Sequence, residues 1–209
     1  MTPVQMQLSF LQKIGESINR DFDIPSIDIE KYINLAIENF VDSWYNLFEV
    51  NEAARKRLSS LVKSEKITST GFISEVTAGA KNLTNGTFVQ LPTGLRYTTK
   101  EYAKLGTSTE YTRVVPINLD YYNQHILNSF KKPYNKLSWR IDIGNGVHEI
   151  VTDGTALTEY FIHYVKNPVY ISISANTSTD IKSDFHEEII DKAVQIALQI
   201  LSIKSTKEK

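Results

Sequence analysis

The chain of 209 residues is 41% hydrophobic and 22% charged, enough apolar material for a sizeable core and too much for a wholly disordered polymer. It has no cysteine, which excludes disulfide frameworks, thiolate metal sites and cysteine nucleophiles. Its 23 Lys plus Arg against 24 Asp plus Glu leave a formal charge of −1, which argues against a protein built to grip phosphate backbones.

Residues 1–67 read as a helical region. Pro3 suits the first turn of a helix whose apolar stripe is Val4, Leu8, Leu11, Ile14 and Ile18, interrupted by Gly15. A stronger helix follows, with Ile29, Ile33, Ile37, Phe40, Trp44 and Leu47 at helical spacing and Ser26 or Asp28 as its cap. Beyond Asn51 the stretch EAARKRLSSLVKSEK continues helically, as an extension broken near Val50–Asn51 or as the second arm of a hairpin.

Residues 68–182 read as β-rich. Candidate strands are GFISEVT (71–77), TFVQLP (87–92) and EYTRVVP (110–116). A short helix near 119–130 interrupts them, with Leu119, Tyr122, Ile126 and Phe130 on one face and Pro133 as its stop. WRIDIGNGVHEIV (139–151) is a hairpin, because its alternating pattern closes on Gly-Asn-Gly. YFIHYV (160–165) and VYISIS (169–174) are expected to pair across Asn167-Pro168.

Residues 183–209 read as a terminal helix and a frayed charged tail, KSTKEK. Asp184 and Glu187 form an acidic analogue of a capping box. Phe185, Ile189, Ala193, Ile196 and Ile200 make one apolar row, and Ile190, Val194, Ala197 and Leu201 its neighbour. The class is therefore α+β in one domain: N-terminal helices, a mainly antiparallel β-rich middle and a C-terminal amphipathic helix.

Catalytic signals are thin. The four histidines show no zincin spacing; His148-Glu149 and His163 lie on strands expected to be neighbours, where a His–Glu–His site could form, although ordinary strand positions account for them as well. Asp142, Asp153 and Asp120 sit where turns and caps use carboxylates. No phosphate loop, dinucleotide fingerprint or nucleophile elbow occurs. No apolar run approaches the roughly 18 residues of a membrane span, and MTPVQMQLSFLQK lacks the basic and apolar regions of a signal peptide. Tyr121, Tyr122, Tyr134 and Trp139 cluster beside Lys131, Lys132 and Arg140; such a cluster serves an interface, a core beside a solvated turn, or stacking of single-stranded nucleic acid.

Three segments in order, HILNSFKKPYNKLSWRIDI, EYFIHYVKNPVYISI and FHEEIIDKAVQIAL, resemble the head-to-tail connector (ring or neck) proteins of crAss-like bacteriophages. The likeness lies in the basic turn Lys131-Lys132-Pro133, the Trp139-Arg140 hairpin, the Lys166-Asn167-Pro168 turn and the His186-to-Ile189 helix start, with LPTGLRYTT (91–99) preceding them. It covers residues 88–203. The resemblance implies a non-enzymatic virion protein without cofactor or membrane contact. It implies copies closing into a ring of twelve, assembled in the bacterial cytoplasm, with the portal and other ring or tail proteins as neighbours. DNA would pass through the ring without specific binding. Lys131, Lys132, Trp139 and Arg140 are then the expected subunit contact. The alternative is a tail or cellular binding module that recognises carbohydrate through exposed aromatics.

Overall fold

The computed structural model describes residues 1–18 and 24–207, and these divide into two compact units, each described here by itself. One comprises residues 1–61 with 167–209 and is helical; the other, residues 62–166, holds the sheet. The α+β class holds.

In the helical unit, α1 (Pro3–Ile18), α2 (Ser26–Tyr45) and α3 (Glu52–Leu58) gather with α6 (His186–Lys207). α2 buries Ile29, Ile33, Ile37 and Phe40 as its spacing foretold, with Ala36 and Val41 widening the face. α1 turns differently from expectation: Met6, Phe10 and Ile14 are buried while Val4 and Leu8 are exposed. Both rows recur at helical spacing, and the row carrying the phenylalanine wins because Phe10 stacks on Tyr32 at 6.2 Å. The helical continuation expected over EAARKRLSSLVKSEK stops at Leu58, after a start at which the Asn51 side chain accepts from the Ala53 N–H. Its last turn supplies Arg57, whose guanidinium lies 4.2 Å from the Trp44 ring centroid and 5.2 Å from that of Phe185. Glu188 binds the same group, accepting from Trp44 Nε1 at 3.3 Å and from Arg57 Nε at 3.4 Å.

α6 is entered through a 3₁₀ turn at Ser183–Phe185, with Lys182 at the cap position and no side-chain capping bond, so the expected Asp184–Glu187 box does not form. Ile189, Ile190, Ala193, Val194 and Ala197 are buried. Of the tail expected to fray, residues 204–207 continue the helix and residues 208–209 lie outside the described residues.

VYISIS (169–174) is not a strand, although it alternates like one. Ser172 makes a single backbone bridge to Thr177, and the backbone groups of Ile171 and Ile173 find side-chain partners on α2 instead of a ladder. The Asn34 amide donates to Ile171 O at 3.0 Å and accepts from Ile171 N at 2.9 Å, and Glu30 accepts from Ile173 N at 2.8 Å. A carboxamide thus does for one residue what a neighbouring strand does for a ladder pair.

In the second unit β1 (Val62–Thr68), β2 (Phe72–Ile73), β3 (Gly86–Gln90), β4 (Leu95–Leu105), β5 (Tyr111–Pro116), β6 (Leu137–Gly144), β7 (Val147–Val151) and β8 (Leu157–Lys166) form one sheet. Their order is β1-β8-β4-β5-β6-β7-β3-β2. Of the expected GFISEVT strand only β2 remains, since residues 75–78 make a single helical turn, α4 (Glu75–Ala78). β4, the longest strand, was not expected. Three register shifts along its pairing with β8 break the alternation that would announce it. The β6–β7 hairpin closes on Gly144 and Gly146 at positive φ, with Asn145 between them.

The first and last strands of the sheet, β1 and β2, are joined by only three residues, Ser69–Gly71. Seven strand spacings in a flat sheet would hold them about 34 Å apart, whereas four Cα steps span at most about 14 Å. The sheet therefore curls until its edges approach, which gives it an inner and an outer face. Ile67, Val89, Ala103, Leu105, Val114, Ile150, Leu157, Tyr160, Ile162 and Tyr164 fill the inner face. All pairs are antiparallel except β5 with β6. A parallel pair obliges the chain to travel back along the strand before it re-enters the sheet. Residues 117–136 make that return, with α5 (Leu119–His125) at its start.

The clasp of residues 171–173 onto α2 is testable. Asn34→Ala leaves both polar groups of Ile171 without partners and should cost about 1–3 kcal/mol. Urea denaturation would read the loss, and hydrogen exchange should show the Ile171 amide losing its protection first.

Candidate functional site

Alternation along β6 decides the fate of the residues singled out in the sequence. Trp139 and Ile141 face outward with Val151 of β7, under the buried Tyr122 of α5. Asn118 starts that helix by accepting from the Tyr121 N–H at 2.8 Å. The Trp139 ring then meets Tyr121 and Tyr122 edge-on, at centroid distances of 5.7 and 6.3 Å. Trp139 is 2% exposed and belongs to the interior of this unit. Its neighbour Arg140 points to the inner face. Lys131 and Lys132 lie in the open on the return segment. The four residues expected to share one surface thus occupy three environments.

The exposed one is a knuckle at residues 126–136, where the helix expected over 119–130 has already ended. α5 ends at His125, so Phe130 is not the last residue of its buried row but is 97% exposed, and Leu127 beside it is 92% exposed. Asn128 holds the turn: its side chain accepts from Phe130 N at 3.0 Å, and its carbonyl accepts from Lys131 N and Lys132 N at 3.0 and 2.9 Å. Pro133 anchors the far side, buried. Leu127 and Phe130 lie beyond the end of α5 and so have no helix face to pack on.

A second feature is a closed polar centre on the inner face. Arg140 Nη1 donates to His148 Nε2 at 3.0 Å; arginine can only donate, so Nε2 accepts and the imidazole carries its proton on Nδ1. His148 Nδ1 donates to the Tyr160 hydroxyl at 3.1 Å, and that hydroxyl donates to Glu101 Oε1. Arg140 Nε closes the ring at 3.5 Å from Glu101 Oε2. Burial, reinforced by the Arg140 charge, lowers the His148 pKa to about 3 and keeps the ring neutral. Burial also pushes Glu101 above the usual carboxylate range, against the pull of Arg140 and the Tyr160 hydroxyl. Tyr160 is pushed far up by burial and by Glu101, so it stays a donor.

The other candidate groups do not converge. His148 and Glu149 occupy opposite faces of β7, and β7 is not a neighbour of β8, which carries His163. Glu149 accepts from Leu83 N at 2.6 Å and so holds the loop before β3. Asp142 and Asp153 each close a turn, accepting from Gly144 N at 2.8 Å and Thr155 N at 3.0 Å. Among the described residues no cluster of three metal-ligating side chains occurs, and no described helix is long and apolar enough to cross a membrane.

Against this geometry, residues 34–209 match the family model described as phage tail ring protein 3/4, of the CrAss type. The match takes in the whole sheet unit and much of the helical one. No curated protein matches the sequence.

Two measurements separate interior from surface. Trp139→Ala should cost about 3–5 kcal/mol in urea denaturation, whereas Phe130→Ala should stay within about 0.5 kcal/mol of the parent. The sign of the pH effect follows from His148: its folded pKa lies below the ordinary 6.5, so its contribution is present above pH 6.5 and lost as pH falls toward 3. Glu101, with its pKa raised, contributes in the opposite sense, below its ordinary 4.5 and fading as pH rises. Between pH 6.5 and 4.5 His148→Gln should flatten the acid loss by up to about 1.4 kcal/mol per pH unit relative to the parent. Equal slopes for the two proteins in that interval would contradict the neutral-histidine assignment.

Proposed function

We propose that this chain, which belongs to the CrAss phage tail ring protein 3/4 family, acts by assembly. Twelve copies close into a ring in the neck and tail of the virion, between the portal and neighbouring ring or tail proteins. The ring extends the channel through which DNA leaves, and it forms in the host cytoplasm before joining the particle. The family match over residues 34–209 is the observation that carries this reading.

Physical features of the chain support the finer parts. A formal charge of −1 suits a channel wall that DNA must slide past, since every phosphate neutralised strengthens retention. A non-enzymatic role suits the polar centre, where Glu101 and His148 are spent on each other's neighbours behind a wall of apolar side chains. Two large apolar side chains held out on the knuckle suit a chain whose final state is bound to others.

A second reading, as a carbohydrate-binding module, draws on the outer-face groove lined by Tyr102, Tyr111 and Phe161, whose rings could stack on sugars. Glycan-array binding that disappears in Tyr111→Ala would favour it over the ring.

The ring reading predicts that negative-stain electron microscopy of the purified chain at high concentration shows closed rings with a central opening. It also predicts that immunogold label on intact particles falls at one vertex, at or just below the capsid–tail junction. Particles bare of label, even after partial disruption, would overturn it.

A further inference from the structure

A ring of identical chains needs heterologous contacts, in which one patch on each copy meets a different patch on the next. The knuckle is one half of such a contact. Leu127 and Phe130 stand out almost wholly exposed, and Lys131, Lys132 and Lys136, exposed as well, follow them along the same turn. Asn128 and Pro133 fix the turn, so the pair is presented by ordered backbone. The receiving patch must then be apolar at its floor and acidic at its rim.

Among the described residues, two exposed apolar grooves offer such a floor, and charge distinguishes them. The aromatic groove of Tyr102, Tyr111 and Phe161 is rimmed by cations: Lys66 and Lys104 flank Glu159 at 3.7 and 3.8 Å, and Arg113 lies opposite Tyr102 in the β4–β5 register. It would repel three more lysines. The shallow groove between α2 and residues 170–177 has Leu35 and Tyr170 on its floor, 45% and 42% exposed, with Glu38 in its wall beside Glu30, one of whose oxygens also accepts from Ile173 N. Lys31, on the same helix, is turned to Asp28 at 3.2 Å. The Asn34 clasp holds the Tyr170 side of the groove in place, so the site is formed before anything docks.

We propose that the Leu127–Lys136 knuckle of one copy docks into the α2–Tyr170 groove of the next copy, and that this is the repeating contact of the ring. The inference rests on the ring reading. Phe130 and Leu127 fill the space over Leu35 and Tyr170, and the knuckle lysines face Glu30 and Glu38.

The absence of native cysteine allows a direct test. Full-length chain carrying Phe130→Cys with Leu35→Cys is treated with a short bismaleimide and run on a denaturing gel. A ladder of covalent oligomers is expected, with peptide mapping joining position 130 of one copy to position 35 of another. Phe130→Cys with Val76→Cys, a position more exposed than Leu35, should give no ladder above the single-cysteine background. Phe130→Asp should weaken self-association about tenfold or more in sedimentation, with an unchanged circular-dichroism spectrum. No ladder from chains that still form rings under the microscope would overturn this contact and leave the ring reading standing. Chains giving neither ladder nor ring would overturn both. Covalent dimers from Phe130→Cys alone, in place of a ladder, would overturn the contact by showing that the knuckle meets its own copy.

Discussion

The three-residue link between the outermost strands of the sheet governs the second unit. Eight strands whose first and last members are tied within about 14 Å cannot lie flat, and curling gives every strand an inside and an outside. That division separates Trp139 from Arg140, one residue apart, into an aromatic layer beneath α5 and a polar ring within the sheet. It also fixes the position of the knuckle. The parallel β5–β6 pair forces a long return over the outer face, and the exposed turn at residues 126–136 belongs to that return.

The polar ring is the costliest element placed on the inner face. A carboxyl, a guanidinium, an imidazole and a phenol sit among aliphatic side chains, where any unpaired member would forfeit several kcal/mol. Three hydrogen bonds run in sequence, Arg140 to His148, His148 to Tyr160 and Tyr160 to Glu101, and Arg140 Nε lies 3.5 Å from Glu101 Oε2 as an ion pair without a hydrogen bond of its own. Because the four residues come from β4, β6, β7 and β8, the ring fixes the register of strands far apart in sequence. An apolar core would tolerate a slip of two residues, whereas these three hydrogen bonds and one ion pair form together in a single register.

The helical unit solves the same problem of backbone satisfaction by other means. Residues 171–173 have the composition of a strand but only one backbone bridge, Ser172 to Thr177, and Asn34 and Glu30 supply the partners of Ile171 and Ile173 from a helix. Arg57, held between Trp44 and Phe185 and bonded to Glu188, ties α2, α3 and the entry to α6 into one cluster. Each device uses a polar side chain to hold an element whose apolar face alone would leave its orientation free.

What the chain itself determined was whatever depends on neighbours within a few residues. The buried face of α2, the Gly-Asn-Gly hairpin, the α6 rows and the α+β class follow from spacing and turn chemistry. Tertiary structure decided what depends on partners distant in sequence. β4 was hidden because its bulges, set by pairing with β8, erase the period of two. VYISIS failed to become a strand because α2 met its backbone first, and α1 chose its Phe10 row because Tyr32 was there to stack on it. Of the four residues expected at a contact, the two lysines could be placed on the surface from the Lys-Lys-Pro stop. Trp139 and Arg140 could not be placed, because an adjacent pair on a strand always parts to opposite faces, and only the curl says which face is inside.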